Sequence, residues 1–187
     1  MSPESVSVSP EELADAYWGN YQLREALDEA REPRPYDPEA GDRILVDGDG
    51  WRVIAHKRRD DEPDEPRTGL EWGWEMVDKI TNCHRWNDFW DASEEGRPER
   101  FAPRIDRVDL LALLAERAPD DDALDYLGAD AIYSYLGGNP DVAGIEEAAQ
   151  GSRRLCAALS FCIRTSSVYE HLPPEDVARL RRFGDRD

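Results

Sequence analysis

The stretch that decides the fold is Asp106–Gly138, DRVDLLALLAERAPDDDALDYLGADAIYSYLGG. Apolar residues recur in it at intervals of three and four, which is the spacing of one helix face. The first apolar stripe and its flanks consist of Val108, Leu110, Leu111, Leu113, Leu114 and Ala115. An apolar stripe of this width indicates a central helix. Pro119 ends that helix, and Asp120 is a suitable cap for the next one.

Glycine and proline divide the residues that follow into short helices. We predict that Gly128 ends one helix in a left-handed conformation and that Gly137–Gly138 ends the next. Asn139–Pro140 restarts the chain with a cap and a first-turn proline, and Gly151–Ser152 breaks it again. The last helix begins at Pro174. The predicted body is an irregular bundle of short helical hairpins.

The N-terminal third carries one predicted helix and the one convincing β signal. Ser9 with Glu12 three residues later is typical of a helix start, and this helix is expected to run to about Arg31. Arg43–Val46 and Trp51–Ala55 are β-branched and aromatic runs separated by Asp-Gly-Asp-Gly, which predicts a β-hairpin. Because Trp51 stands where a calcium loop needs an oxygen ligand, we predict no metal there.

A charged, proline-containing segment divides the chain. Residues 58–67 (RRDDEPDEPR) cannot offset their ordering entropy by burial, so we expect a loop. It separates a predicted N-terminal appendage, residues 1–57, from a predicted helical body, residues 68–187. Thr68 with Glu71 repeats the capping pattern at the start of that body. The predicted fold class is mainly α, with the hairpin as its β element.

The chain is strongly acidic, with 42 carboxylates against 23 basic side chains and a net charge of -19. Residues 1–150 hold 37 acids and 16 bases, whereas residues 151–187 hold 5 acids and 7 bases. This charge repels phosphate, which argues against direct binding of nucleic acid or an anionic membrane. Because the sequence also shows neither a secretory signal nor an apolar run of about 20 residues, we expect a cytoplasmic protein.

The residues that usually carry chemistry do not form a recognisable site. The three cysteines, Cys83, Cys156 and Cys162, are expected to be free thiols. Cys83 and His84 are adjacent, and neighbours on a helix point about 100° apart, so they cannot act as a nucleophile and its base. No histidine has metal-ligand spacing. We therefore predict no catalytic residue, no metal and no cofactor, in a protein that is not an enzyme.

Three segments of the chain resemble a known family. They are Glu71–Ile80 (EWGWEMVDKI), Ala118–Gly138 and Ile145–Ser160. In their order and spacing they are similar to small bacterial helical proteins catalogued as a domain of unknown function, over about residues 68–187. That family usually reads Gly-Pro-Leu-Glu where this chain has Asp130–Tyr133. The resemblance implies a helical fold and brings no activity, cofactor or catalytic residue.

The negative charge and the lack of a recognisable catalytic or metal-ligating pattern predict an acidic binding protein. We expect it to neutralise or scaffold a basic protein partner, as a toxin-immunity protein or an anti-defence inhibitor does. Aromatic side chains flanked by charges dominate many interfaces. The predicted contact residues are Asp120, Asp121, Asp122, Asp125, Tyr126, Asp130 and Tyr133. Tyr135 is a further possible anchor nearby, and the alternative for all three tyrosines is that they pack in the helical core.

Two other functions stay open. Trp72, Trp86 and Trp90, with a carboxylate such as Glu75, are candidates to line the pocket of a small-molecule-binding domain or an enzyme. We expect instead that these tryptophans, with Trp74, are core residues. Finally, the apolar excess around Trp86 is a candidate interface in a structural subunit of a larger assembly.

Overall fold

The computed structural model describes residues 5–30, 39, 43–46, 52–55, 68–82, 89–90 and 99–184. This part of the chain is mainly helical, as predicted. The helices are α1 (Pro10–Glu29), α2 (Glu71–Asn82), α3 (Arg107–Arg117), α4 (Asp121–Leu127), α5 (Tyr133–Gly137), α6 (Val142–Gly151), α7 (Arg153–Thr165) and α8 (Pro174–Gly184). A π turn (Gly128–Ile132) joins α4 to α5, and a 3-10 turn (Val168–His171) precedes α8.

Short strands accompany the helices. They are β1 (Ser5–Ser7), β2 (Arg43–Val46), β3 (Arg52–Ala55), β4 (Phe89–Trp90) and β5 (Glu99–Phe101). β5 pairs with β1 in parallel and with β4 in antiparallel orientation. β2 pairs with β3 in antiparallel orientation, with Ile44 opposite Ile54. The turn predicted between these two strands, residues 47–50, lies outside the described residues, as does Trp51.

The chain divides into two compact units, Met1–Leu23 with Thr68–Asp187, and Arg24–Arg67. The sequence placed residues 1–23 in an N-terminal appendage, whereas the structure places them in the same unit as the helical body. The physical reason is burial, because Leu13, Ala14 and Tyr17 of α1 are almost completely enclosed in the core of this unit. The predicted loop over residues 58–67 lies outside the described residues.

Local capping signals account for where several helices begin. The Ser9 N–H donates to Glu12 Oε2 at 2.8 Å, and the Glu12 N–H donates back to Ser9 Oγ at 3.2 Å. Asp120 Oδ1 accepts from the N–H of Ala123 at 2.8 Å. The start of α6 differs from its prediction, because Asp141 rather than Asn139 provides its cap.

Among the described helices, α7 is the central one, whereas we expected α3 to be central. It contacts α3, α4, the π turn, α6 and α8. Its buried side chains are Leu155, Ala158, Leu159, Ser160, Cys162 and Ile163. Ser160 Oγ also donates to the carbonyl of Phe183 at 2.8 Å, which ties α8 to this helix. The core is therefore organised around α7.

The predicted helix end at Gly128 is wrong. Gly128 has φ -63° and ψ -43°, so the helix continues through the π turn to Gly137. The buried residues of this continuous helical stretch, from α4 to α5, come in pairs. The pairs recur every fourth position, at 123/124, 127/128, 131/132 and 135/136. Four residues of a regular α-helix turn through about 400°, so such pairs would drift by about 40° at each repeat. The wider π turn accommodates one extra residue and returns the later pairs to the core side.

Gly128 also lets α4 and the π turn approach α7 closely. A Cβ atom built on Gly128 would lie 2.5 Å from the carbonyl oxygen of Ala158 and 3.1 Å from Phe161 Cδ1. A real Cβ does not tolerate the first distance, and the atom it meets is backbone. Glycine is therefore required here by packing, not by a left-handed backbone.

We predict that Gly128→Ala lowers the free energy of unfolding by about 1 to 3 kcal/mol, the usual cost of overpacking. The measurement is urea denaturation followed by circular dichroism. The matched control is Gly151→Ala at the end of α6, where an added Cβ meets nothing within 4 Å. The control is expected to be neutral or stabilising by up to about 1 kcal/mol. Equal stability of the two variants would contradict the packing argument.

Candidate functional site

The predicted contact residues all lie on the helical stretch from the cap of α4 to α5, but they face two directions. Asp120, Asp121, Asp122 and Asp125 are exposed, and so is Tyr133. Tyr126 and Asp130 are half-buried on another side of the same stretch. The structure therefore separates an outer surface from an inner polar seam.

The outer surface begins with the carboxylates of α4. Asp121 and Asp122 lie in the first turn of the helix, and Asp125 follows one turn later. Carboxylates near a helix N-terminus are favoured by the helix dipole, which explains locally why this sequence forms a helix start. Asp120 serves as the N-cap, so one of its oxygens is already used.

Among the described residues, the carboxylates of Asp121, Asp122 and Asp125 form no ion pair. The pKa of Asp125 is raised, first by partial desolvation and then by the charge of Asp122, while Arg164 acts in the opposite direction. None of the ion pairs among the described residues includes Asp121, Asp122 or Asp125. Those ion pairs are Arg117–Asp15, Arg179–Glu146, Arg179–Asp176, Arg181–Glu170 and Arg182–Glu146.

Tyr133 adds an aromatic ring to the outer surface. Its side chain is 46% exposed, and in the described part of the chain the other large apolar residues with comparable exposure are Leu23 and Leu27 of α1. Exposed positions recur every fourth residue through Asp121, Asp125, Ala129 and Tyr133. The acidic residues and the ring therefore lie along one side of the helix.

The inner seam centres on Asp130 in the π turn. Its Oδ2 atom accepts hydrogen bonds from Tyr17 Oη at 2.8 Å and from Trp74 Nε1 at 3.0 Å. The two donors belong to α1 and α2, so one oxygen connects three elements. Burial raises the pKa of Asp130, the two hydrogen bonds lower it, and the nearby charge of Asp78 raises it.

Tyr126 belongs to an aromatic cluster behind this seam. Its ring centroid lies 4.8 Å from that of Tyr21 and 6.1 Å from that of Tyr17. Tyr135 is fully buried, and its hydroxyl accepts from the N–H of Asp141 at 2.7 Å. The alternative that the tyrosines pack in the core therefore describes Tyr126 and Tyr135, whereas Tyr133 is turned outward.

The tryptophans considered for a pocket have different environments. Trp72 is buried in the core at 8% exposure, and Trp74 donates to Asp130. Trp86 lies outside the described residues, and of Trp90 the structure describes only its place in β4. The two described indoles therefore serve the core and the seam.

Two of the three cysteines that we considered as reactive side chains lie among the described residues. Cys162 is buried, Cys156 is half-buried, and both are free thiols. Cys83 and His84 lie outside the described residues. Within the ranges that the structure describes, no three His, Cys, Asp or Glu side chains come together as a metal site would require.

The donors to Asp130 were missed by the sequence analysis. Tyr17 is 113 residues away from Asp130 and Trp74 is 56 residues away. No local pattern signals contacts over such separations. A buried polar network of this kind becomes visible only when the helices are in place.

No family model, curated protein or solved structure matches this chain. Among the described residues, no helix is both long and apolar enough to cross a membrane.

We predict that Tyr17→Phe lowers the free energy of unfolding by about 1 to 3 kcal/mol, because it removes one donor to a partly buried charge. Tyr133→Phe is the matched control, since it removes the same hydroxyl from an exposed ring, and it is expected to stay within about 0.5 kcal/mol of wild type. Urea denaturation at pH 7 measures both. If the two variants are equally stable, the Tyr17 hydrogen bond does not contribute as argued.

Proposed function

We propose that this chain is a binding protein that recognises a basic protein partner through an acidic face. The acidic face consists of the carboxylates of Asp121, Asp122 and Asp125 and the ring of Tyr133. One observation carries the proposal: these three carboxylates are exposed on consecutive turns, and no described basic side chain forms an ion pair with them.

Electrostatics supports a basic partner. Asp121, Asp122 and Asp125 lie close enough that the first two raise the pKa of the third. Lysine or arginine side chains from a partner would relieve this repulsion. The net charge of -19 adds long-range attraction, which accelerates association with a basic protein.

The ring of Tyr133 supplies binding energy that exposed carboxylates alone do not provide. Exposed carboxylates give modest energies that salt screens, whereas aromatic anchors contribute much of the binding energy at many interfaces. Tyr133 is exposed on the same side as Asp125. An arginine of the partner could stack on the ring while pairing with the carboxylates.

The remaining predicted contact residues position the helical stretch that carries this face. Asp120 caps α4, Tyr126 packs against Tyr21, and Asp130 anchors the π turn. We propose that the irregular bundle of helical hairpins acts as a rigid scaffold for the acidic face. We also propose that the protein works in the cytoplasm and without a cofactor, as an immunity protein or an anti-defence inhibitor that neutralises its partner.

The triple variant Asp121→Asn, Asp122→Asn and Asp125→Asn is expected to bind the partner more weakly than wild type. The wild-type chain, immobilised and incubated with lysate of its source cells, should retain a basic protein that elutes as salt rises. Against that purified protein, we expect the triple variant to bind at least tenfold more weakly, which corresponds to about 1.4 kcal/mol. Biolayer interferometry over a salt series measures the effect.

The matched control changes three exposed acids elsewhere, Asp109→Asn, Glu147→Gln and Glu175→Gln, on α3, α6 and α8. It shifts the net charge by the same amount, so a loss of binding in both variants would indicate net charge rather than the acidic face. Capture of acidic proteins only, or affinity independent of salt, would overturn the proposal.

We predict that Tyr133→Ala weakens the same interaction by about tenfold or more, as expected of an aromatic contact. Folding should be unaffected, because the ring is largely outside the core, and circular dichroism checks this. Tyr133→Phe should retain most of the affinity if the ring rather than the hydroxyl makes the contact. Unchanged binding by Tyr133→Ala would remove the tyrosine from the proposed face.

A further inference from the structure

Asp130 lies in the π turn, between the buried pairs Leu127 with Gly128 and Ala131 with Ile132. Its neighbour Ala129 is exposed, whereas Asp130 is half-buried. The side chain of Asp130 faces α1 and α2, because Tyr17 and Trp74 donate to it from those helices.

The described groups that surround Asp130 are polar, and none of them is a cation. Tyr17 faces it from α1, Trp74 and Asp78 face it from α2, and Tyr126 lies near Tyr17 on its own helical stretch. Ser134, one turn after Asp130, donates to Asp78 Oδ1 at 3.4 Å. No Lys, Arg or His of the described residues is among the groups that shift its pKa. An ionised Asp130 is therefore held by two neutral donors next to another carboxylate.

We propose that Asp130 is an acid-sensitive lock on the seam between α1, α2 and the π turn, and that it stabilises the folded chain most when its carboxyl group is protonated. The carboxylate takes one proton from solvent. Protonation weakens the hydrogen bonds from Tyr17 and Trp74, which favour the charged form, but it removes the larger cost of holding a charge in a half-buried place and the repulsion from Asp78. π turns occur frequently at functional positions, which fits a role beyond packing. The inference is independent of the proposed partner.

The sign of the pH dependence follows from the raised pKa of Asp130. In the unfolded chain this group has the ordinary value of about 3.9. Because the folded chain holds the proton more tightly, the stabilisation is full at low pH and is lost as pH rises through the folded pKa. Asp125 also has a raised pKa and contributes in the same direction, so total stability alone does not isolate Asp130.

The direct test is the indole N–H resonance of Trp74 in ¹H–¹⁵N spectra of the full chain between pH 3 and pH 7. Trp74→Phe identifies the resonance among the six tryptophans. We expect it to titrate with a midpoint above about 3.9 and to lose this titration in Asp130→Asn. A midpoint at or below 3.9, or a titration that persists in Asp130→Asn, would overturn the proposal.

A second measurement does not depend on acid stability. At pH 7, Asp130→Asn keeps an oxygen acceptor without the charge, so it is expected to unfold at a higher urea concentration than wild type. Asp109→Asn, an exposed residue of α3, is the control and should not shift the midpoint. An Asp130→Asn variant that unfolds at the same or a lower urea concentration than wild type would contradict the lock.

Discussion

The close approach of Gly128 to the backbone of α7 is the constraint on which the helical body depends. The carbonyl oxygen of Ala158 occupies the space where any other residue at 128 would place its Cβ. Because α7 also contacts α3, α6 and α8, the position of this crossing sets where α4 and α5 lie against the remaining core. The π turn that begins at Gly128 then compensates for the four-residue spacing of the buried pairs.

This geometry gives aspartates of one helical stretch two different chemical environments. Asp125 is exposed to water, and Asp130 lies in the seam, where Tyr17 and Trp74 donate to it. The pKa of each is raised, and desolvation is the largest cause for both. An exposed acidic face and an internal polar contact thus arise from neighbouring turns of one helix.

Much of the fold was predictable because its signals are local. The cap at Ser9 and the cap at Asp120 are short hydrogen-bonding patterns, and both form as expected. The prediction failed at Gly128, where glycine was interpreted through backbone conformation although packing against α7 requires it. For the candidate site, the acidic residues of α4 were identified from sequence, but whether Tyr126 or Tyr133 faces solvent was left open.

By itself, the sequence determined the helical class, several helix starts and the strongly negative charge, since each depends on composition or on residues a few positions apart. Only the tertiary structure decided that residues 10–23 of α1 belong to the same unit as the helical body, that Asp130 turns inward and that Tyr133 turns outward. These outcomes depend on contacts between residues distant in the chain, such as Tyr17 with Asp130, and on how closely two helices can approach. Neither is encoded in a local pattern, because burial is a property of the assembled core.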